Sequence, residues 1–218
     1  MKSLSSLLIA SAVIATASAA SADVIAGWSI PTAVTATTAA TYSYGAANLG
    51  AQVSGSMLSG THSSASTAWS SPAGNGSLYA LSSNAWDVGD YYQISLATTG
   101  YSGVSVAWEQ TRSSTGPAGF EAVLSVDGGS TFSSLGSYTV NLVSWSTTVP
   151  VTTSSFGSLA SAADNKASVI IRFKVVTAGT STTTGTNRID NIVVSGLIPA
   201  PGALALIGLA GLVSRRRR

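Results

Sequence analysis

Val169-Ile170-Ile171-Arg172-Phe173-Lys174-Val175-Val176 decides the fold. In an extended chain successive side chains point to opposite faces, so Val169, Ile171, Phe173 and Val175 share one side while Arg172 and Lys174 face water on the other. A strand with that alternation belongs to a sheet that is buried on one face and wet on the other, the habit of antiparallel sheets.

The same period of two recurs along the chain. Tyr91 to Leu96 places Tyr92, Ile94 and Leu96 together, and Ser102 to Gln110 turns Val104, Val106 and Trp108 inward with Ser105, Ala107 and Glu109 opposite. Phe120, Ala122, Leu124 and Val126 repeat the pattern. Asp127-Gly128-Gly129 is a tight-turn signal, after which a strand is expected near Tyr138 to Val143, and Ile189 to Ser195 closes the series. Only 8% of residues are charged, and Ser, Thr, Gly and Ala dominate, a composition poor in helix-surface residues. The expected body is all-β, an antiparallel two-sheet sandwich of jelly-roll type. Pro31 to Asn75 has the weakest pattern: Thr35 to Thr41 holds only Thr and Ala, and His62 to Thr67 mostly small residues, so strands there should be short, edge-like or irregular. No fixed-period repeat is present, which excludes a solenoid or propeller.

Both ends differ from this body. Lys2, the apolar stretch Leu4 to Ala17 and the small residues Ala20-Ser21-Ala22 read as a signal peptide over 1–22, cleaved after Ala22, with Ala17-Ser18-Ala19 as the alternative. At the other end, over 198–218, Pro199-Ala200-Pro201 is followed by an apolar run, Gly202 to Val213, and by Arg215, Arg216, Arg217 and Arg218. As a helix that run covers roughly 18 Å at ~1.5 Å per residue, short of the ~30 Å hydrocarbon core. It reads as a transient membrane tether, a short transmembrane-type helix with a cytoplasmic stop of arginines. An N-terminal signal helix and a short C-terminal apolar helix thus flank a single domain over 23–197.

Charge and redox chemistry narrow the function. Within 23–197 five basic side chains face eight acidic ones, a net charge of minus three, so the basic character of the full chain belongs to its ends. That balance excludes a nucleic-acid partner, which needs basic residues gathered on the body. The chain has no cysteine, so stability comes from packing.

The order of proline motif, short apolar helix and terminal arginine cluster resembles the PEP-CTERM sorting signal of bacteria, with Ala200 where that family usually has Glu. The resemblance implies export, handling by signal peptidase and an exosortase-type membrane enzyme, and delivery to the cell envelope or extracellular matrix. Within the body, Ser105 to Phe132 and Thr186 to Gly196 are similar to the jelly-roll domain common among PEP-CTERM proteins. Ile189-Asp190-Asn191-Ile192 also resembles the last strand of carbohydrate-binding modules. That likeness implies a structural calcium held by Asp190, the one cofactor expected; from the residues alone, Asp190 equally pairs with Arg188 or caps a turn.

Sugar-binding surfaces stack aromatic rings on pyranose faces. Trp108 lies on the apolar face and belongs to the core, whereas Trp69 and Trp86 sit in loop-like sequence and are the expected exposed platform. Arg112, opening the loop Ser113-Ser114-Thr115-Gly116-Pro117, either forks onto a sugar or carboxylate or braces its own hairpin by bonding loop carbonyls. Glu109 and Glu121 fall on neighbouring predicted strands with matching parity, the one arrangement here that glycoside hydrolysis can use; cross-strand pairing with basic residues is the plainer reading. The sole histidine, His62, reads as a loop residue, and Asn75-Gly76-Ser77 as a chance sequon. The function expected is structural or adhesive, without catalysis, with extracellular polysaccharide as the partner; the alternative is a carbohydrate-binding module or a glycan-active enzyme of the envelope.

Overall fold

The computed structural model describes residues 22–141, 145, 153–156 and 161–198. The expected signal helix and the sorting segment with Pro199, Ala200, Pro201 and Arg215 to Arg218 lie outside the described residues. Among those described, no helix is long and apolar enough to cross a membrane.

Thirteen strands form among the described residues. They are β1 (Ala22–Trp28), β2 (Thr37–Thr38), β3 (Thr41–Gly45), β4 (Met57–Thr61), β5 (Ala68–Ser70), β6 (Leu81–Ser83) and β7 (Tyr91–Leu96), then β8 (Ser102–Arg112), β9 (Gly119–Ser125), β10 (Ser133–Thr139), β11 (Thr153–Phe156), β12 (Val169–Thr177) and β13 (Asn187–Leu197). They make two antiparallel sheets, one ordered β11-β8-β13-β6-β5-β2 with β1 also paired to β13, the other ordered β10-β9-β12-β7-β4-β3. The sandwich expected from the alternating runs is the observed architecture. Strand β13 changes neighbours along its length: Asn187 to Ile189 pair with β6, and Ile192 to Leu197 with β1. Between them Asn191 takes a positive φ of 45° beside a break in register with β8.

β12 alternates buried and half-buried residues from Val169 to Val175, as its side-chain period requires. β8 runs on to Arg112, and there Gln110 and Thr111 are both buried because Tyr138 Oη donates to Gln110 Oε1 (2.8 Å) and Thr111 Oγ1 to Asn141 O (3.4 Å). Val126, expected inside, is 37% exposed because β9 ends at Ser125. There the Asp127 carboxylate collects Ser125 Oγ and the Ser130 and Thr131 amides into the turn. The strand expected near Tyr138 to Val143 runs from Ser133 to Thr139.

Trp69 and Trp86 are not a surface platform. They are 1% and 0% exposed. Burying an indole removes roughly 150–250 Å² from water, worth about 4–6 kcal/mol at ~25 cal/mol per Å², provided that its N–H finds an acceptor. Both do: Trp69 Nε1 donates to Ala39 O (2.8 Å) and Trp86 Nε1 to Ser83 O (3.0 Å).

Trp69 leaves the edge of the larger sheet and lands on the smaller one. Register aligns Tyr42, Gly60, Tyr92, Phe173, Ala122 and Gly136 across the six-stranded sheet, and Gly60 leaves a gap between the rings of Tyr42 and Tyr92. A Cβ at Gly60 would sit 2.2 Å from Trp69 Cη2, so the indole fills the space that glycine leaves. Tyr42 stacks beside it with ring centroids 5.5 Å apart and planes 24° apart. Gly60→Ala should therefore lower stability by about 1–3 kcal/mol through overpacking, read as a lower urea midpoint; in a Trp69→Leu background the same change should cost clearly less, and equal costs would refute the contact.

Candidate functional site

β3 is an edge strand of the six-stranded sheet. Its sequence Thr41-Tyr42-Ser43-Tyr44 turns both tyrosines inward at the mouth of the sandwich, where no further strand of that sheet covers them. Both are half-buried. Tyr42 lays one ring face on Trp69, which leaves its other face to the mouth. Tyr44 Oη donates to Thr32 O and accepts from Thr32 N, each at 3.4 Å. Trp28 Nε1 pins the end of β3 by donating to Gly45 O (3.1 Å).

These elements enclose a groove of about 310 Å³ lined by Pro31, Thr32, Ala33, Tyr42, Tyr44, Ala46 and Asn48. Asn48 is fixed at both ends of its amide, with Nδ2 donating to Ser29 Oγ (2.8 Å) and Oδ1 accepting from Ser29 N (2.9 Å). None of the lining side chains is charged. Burial pushes the Tyr42 and Tyr44 phenols up, so both keep their hydroxyl hydrogens at neutral pH. The groove thus offers aromatic faces for C–H surfaces and hydroxyl and amide groups for a hydroxylated edge.

Arg112 braces its own loop. Nε donates to Val140 O (3.0 Å), and Nη1 reaches the carbonyls of Ser113, Ser114 and Gly116 at 3.1, 3.2 and 3.4 Å. Its guanidinium is occupied by backbone, not held out for a sugar.

Asp190 is fully buried under the loop between β5 and β6. Oδ2 accepts from Asn75 N (2.9 Å) and from Ser77 Oγ, and Oδ1 from Asn191 N (2.7 Å). Neighbouring Glu109 Oε2 accepts from Asn75 Nδ2 and Asn191 Nδ2, both at 2.7 Å. The carboxylates are surrounded by N–H and O–H donors, whereas calcium needs six to eight oxygen ligands, so the residues present do not fit that ion. Among the described residues no three His, Asp or Glu side chains gather at ligating distance. Asp190 caps a turn instead, and the capped Asn75, 8% exposed, has its amide committed.

Glu109 and Glu121 do not face one another. Glu109 lies on β8 of the larger sheet and Glu121 on β9 of the smaller, so the two carboxylates belong to opposite layers. His62 lies in the loop after β4, as expected, but that loop carries it inside. It is buried against Trp69 and Trp86, with Nδ1 3.1 Å from Ala85 O and 3.3 Å from Asp90 Oδ2, and Nε2 3.2 Å from Ser83 Oγ. Ser83, His62 and Asp90 thus stand in the order of a catalytic triad, yet all three are buried in the core.

No family model matches the chain, and no curated protein does. Among solved structures it is similar to a cleaved adhesin domain of Lys-gingipain from Porphyromonas gingivalis, at 9% identity over 77% of this chain and 95% of that one, with a TM-score of 0.41. It is also similar to TmCBM61, solved in complex with β-1,4-galactotriose (12% identity, 66% of this chain, 89% of that one, TM-score 0.38). A third is a family 29 carbohydrate-binding module from Piromyces equi (11% identity, 82% of this chain, 93% of that one, TM-score 0.34). At these values no ligand or activity transfers, and the reading of this chain rests on its own geometry.

The aromatic groove was missed in the sequence because Tyr42-Ser43-Tyr44 is too short a run to show on which side of an edge it lies. Asp190 gives a direct test of the capped turn. Burial, with a further push from the Glu109 charge, outweighs the hydrogen bonds from Ser77, Asn75 and Asn191 and raises its carboxyl to about 6. An acid raised this way stays protonated in the folded chain between about pH 4 and pH 6 while the unfolded chain has released the proton, so its contribution to stability falls as pH rises through that interval. Asp190→Asn removes this titration. Its stability relative to the wild type, from urea unfolding, should rise by about 2–3 kcal/mol between pH 4 and pH 7; an unchanged difference would refute the raised carboxyl.

Proposed function

We propose that this chain is an exported, non-catalytic protein of the cell surface or extracellular matrix that holds a neutral polysaccharide in the groove between β3 and the loop after β1. The carrying observation is the pair Tyr42 and Tyr44, half-buried at an open edge, with Tyr42 backed by Trp69. A sugar ring has apolar C–H faces and a hydroxylated rim; rigid rings with few rotatable bonds take up the former at low entropic cost, and the uncharged lining favours an uncharged ligand. The reading as non-catalytic draws support from the separation of Glu109 and Glu121 into different sheets and from the burial of Ser83, His62 and Asp90. The proposed sorting route, through signal peptidase and an exosortase-type enzyme acting near Pro199 to Pro201, rests on the sequence layout of the two ends alone.

Retention on immobilised neutral polysaccharides tests the groove. Tyr42→Ala and Tyr44→Ala should each weaken binding by about tenfold, on the scale of one lost aromatic contact, and unaltered retention in both would refute the assignment. Sorting is tested separately by fractionating cells. The intact chain should reach the envelope or medium, while a chain lacking Gly202 to Arg218 should lose the membrane-associated intermediate; identical distribution of the two would refute a role for the tail.

A further inference from the structure

The outer face of the six-stranded sheet holds an arrangement that the groove does not explain. Register places Ser43, Ser59, Gln93, Arg172, Val123 and Ser134 in one line across all six strands. Directly opposed residues share a face, and neighbouring strands lie about 4.8 Å apart, so this row runs roughly 24 Å across the sheet. Five of its six members carry hydrogen-bonding side chains. Arg172 stands near the centre.

Its guanidinium is flanked by two half-buried rings, with Cζ 4.3 Å from the Tyr91 centroid and 4.1 Å from the Phe132 centroid. Nε donates to Gln93 Oε1 at 2.8 Å. Among the described residues no carboxylate pairs with it. The nearby acids are otherwise engaged: Glu121 bonds Lys174 at 3.2 Å, and Asp127 is wrapped by Ser125, Ser130 and Thr131 in its own turn. With rings against its faces and Nε committed, the guanidinium has its in-plane Nη1 and Nη2 hydrogens left to offer. That edge is the end-on fork that matches the two oxygens of a carboxylate, and the rings fix the side chain before a ligand arrives.

We propose that Arg172, clamped by Tyr91 and Phe132 and oriented by Gln93, is a binding site for the carboxylate of an acidic polysaccharide, a uronate chain lying along the row of hydroxyl and amide side chains. The rings beside Arg172 take the C–H surface of the sugar bearing the carboxylate, and Ser59, two strands away in the same row, is placed for a neighbouring sugar's hydroxyls. This site is on the opposite face of the sheet from the Tyr42 and Tyr44 groove and does not depend on it.

The test uses protein purified from cells making the full chain, with immobilised polygalacturonate as probe and its methyl-esterified form and dextran sulfate as the other arms. The wild type should be held by polygalacturonate and released by esterification. Arg172→Lys keeps the charge but not the fork and should weaken retention by about tenfold or more, since a charge-assisted hydrogen bond is lost. Phe132→Leu keeps the charge but loosens the clamp and should weaken it several-fold. Urea midpoints check that each variant is folded; should Arg172→Lys fail to fold, Phe132→Leu and the ester arm still decide. Equal retention of Arg172→Lys and wild type, equal binding of the ester, binding of dextran sulfate as strong as that of polygalacturonate, or no retention of the wild type would each overturn the proposal.

Discussion

The seating of Trp69 on Gly60 ties the two layers of this sandwich together at their weakest margin. β5 is three residues long and β2 two, so backbone pairing alone gives that edge little to hold it. A buried indole supplies what the short ladder cannot, and it can do so only because Gly60 leaves the inner face of β4 bare. Much else follows from this contact. Tyr42 gains a ring to stack on, His62 packs edge-on against the same indole at 5.0 Å, and Tyr92 meets it from β7. The groove is thus the outer rim of the core: the chain buries one face of an aromatic cluster and leaves its last member half in water.

The Ser83, His62 and Asp90 array shows why distances alone do not make a catalyst. His62 Nδ1 faces two acceptors and so carries the hydrogen, leaving Nε2 to accept from Ser83 Oγ. Burial pushes the Asp90 carboxyl up, but bonds from His62 and from the Asp87 and Ser63 amides outweigh it and hold it below the ordinary value. A nucleophile needs a place for substrate beside it, and here that place is taken by Trp86, 4.1 Å from the imidazole, and by Tyr92, whose Oη is 3.3 Å from Ser83 Oγ. The array satisfies the polar groups of a core that would otherwise bury them unpaired, and it fastens the turn after β6 to the start of β7.

The alternating runs of β7, β8, β9 and β12 were legible because each has one dry and one wet face, and that contrast is written in residue type. The margin was not. Trp69 and Trp86 stand among serines, alanines and asparagines, and no local period tells a buried indole from an exposed one; what buries Trp69 is a glycine nine residues earlier in another sheet. The burial of His62 was hidden for the same reason, its partners Ser83 and Asp90 being distant in sequence. Asp190 stood out as a lone acid in an apolar strand, and its capping role was readable as one of two alternatives. The loop that it caps, through Asn75 and Ser77, could not be located without the sheet. Arg112 followed the plainer of its two readings, since a guanidinium beginning a Gly- and Pro-bearing turn finds carbonyls within one side-chain length.

Charge explains how such a surface can select a ligand. Few charges remain on the body, and several are spent internally: Arg112 on backbone carbonyls, Lys174 on Glu121, Asp190 and Glu109 on the loop after β5, Asp90 on His62. Long-range steering by net charge is therefore weak, and a partner is recognised at contact distance or not at all. In that setting a single cation held rigidly between two rings differs from an ordinary surface arginine. It gives up no rotamer freedom on binding and stands beside apolar faces that exclude water from one side, so its hydrogen bonds are worth more than those of a mobile side chain in open solvent. The uncharged groove on the inner side of β3, as proposed here, relies on the complementary rule of ring faces and hydroxyls. β3 itself alternates between the two, with Tyr42 and Tyr44 turned to one and Ser43 to the other.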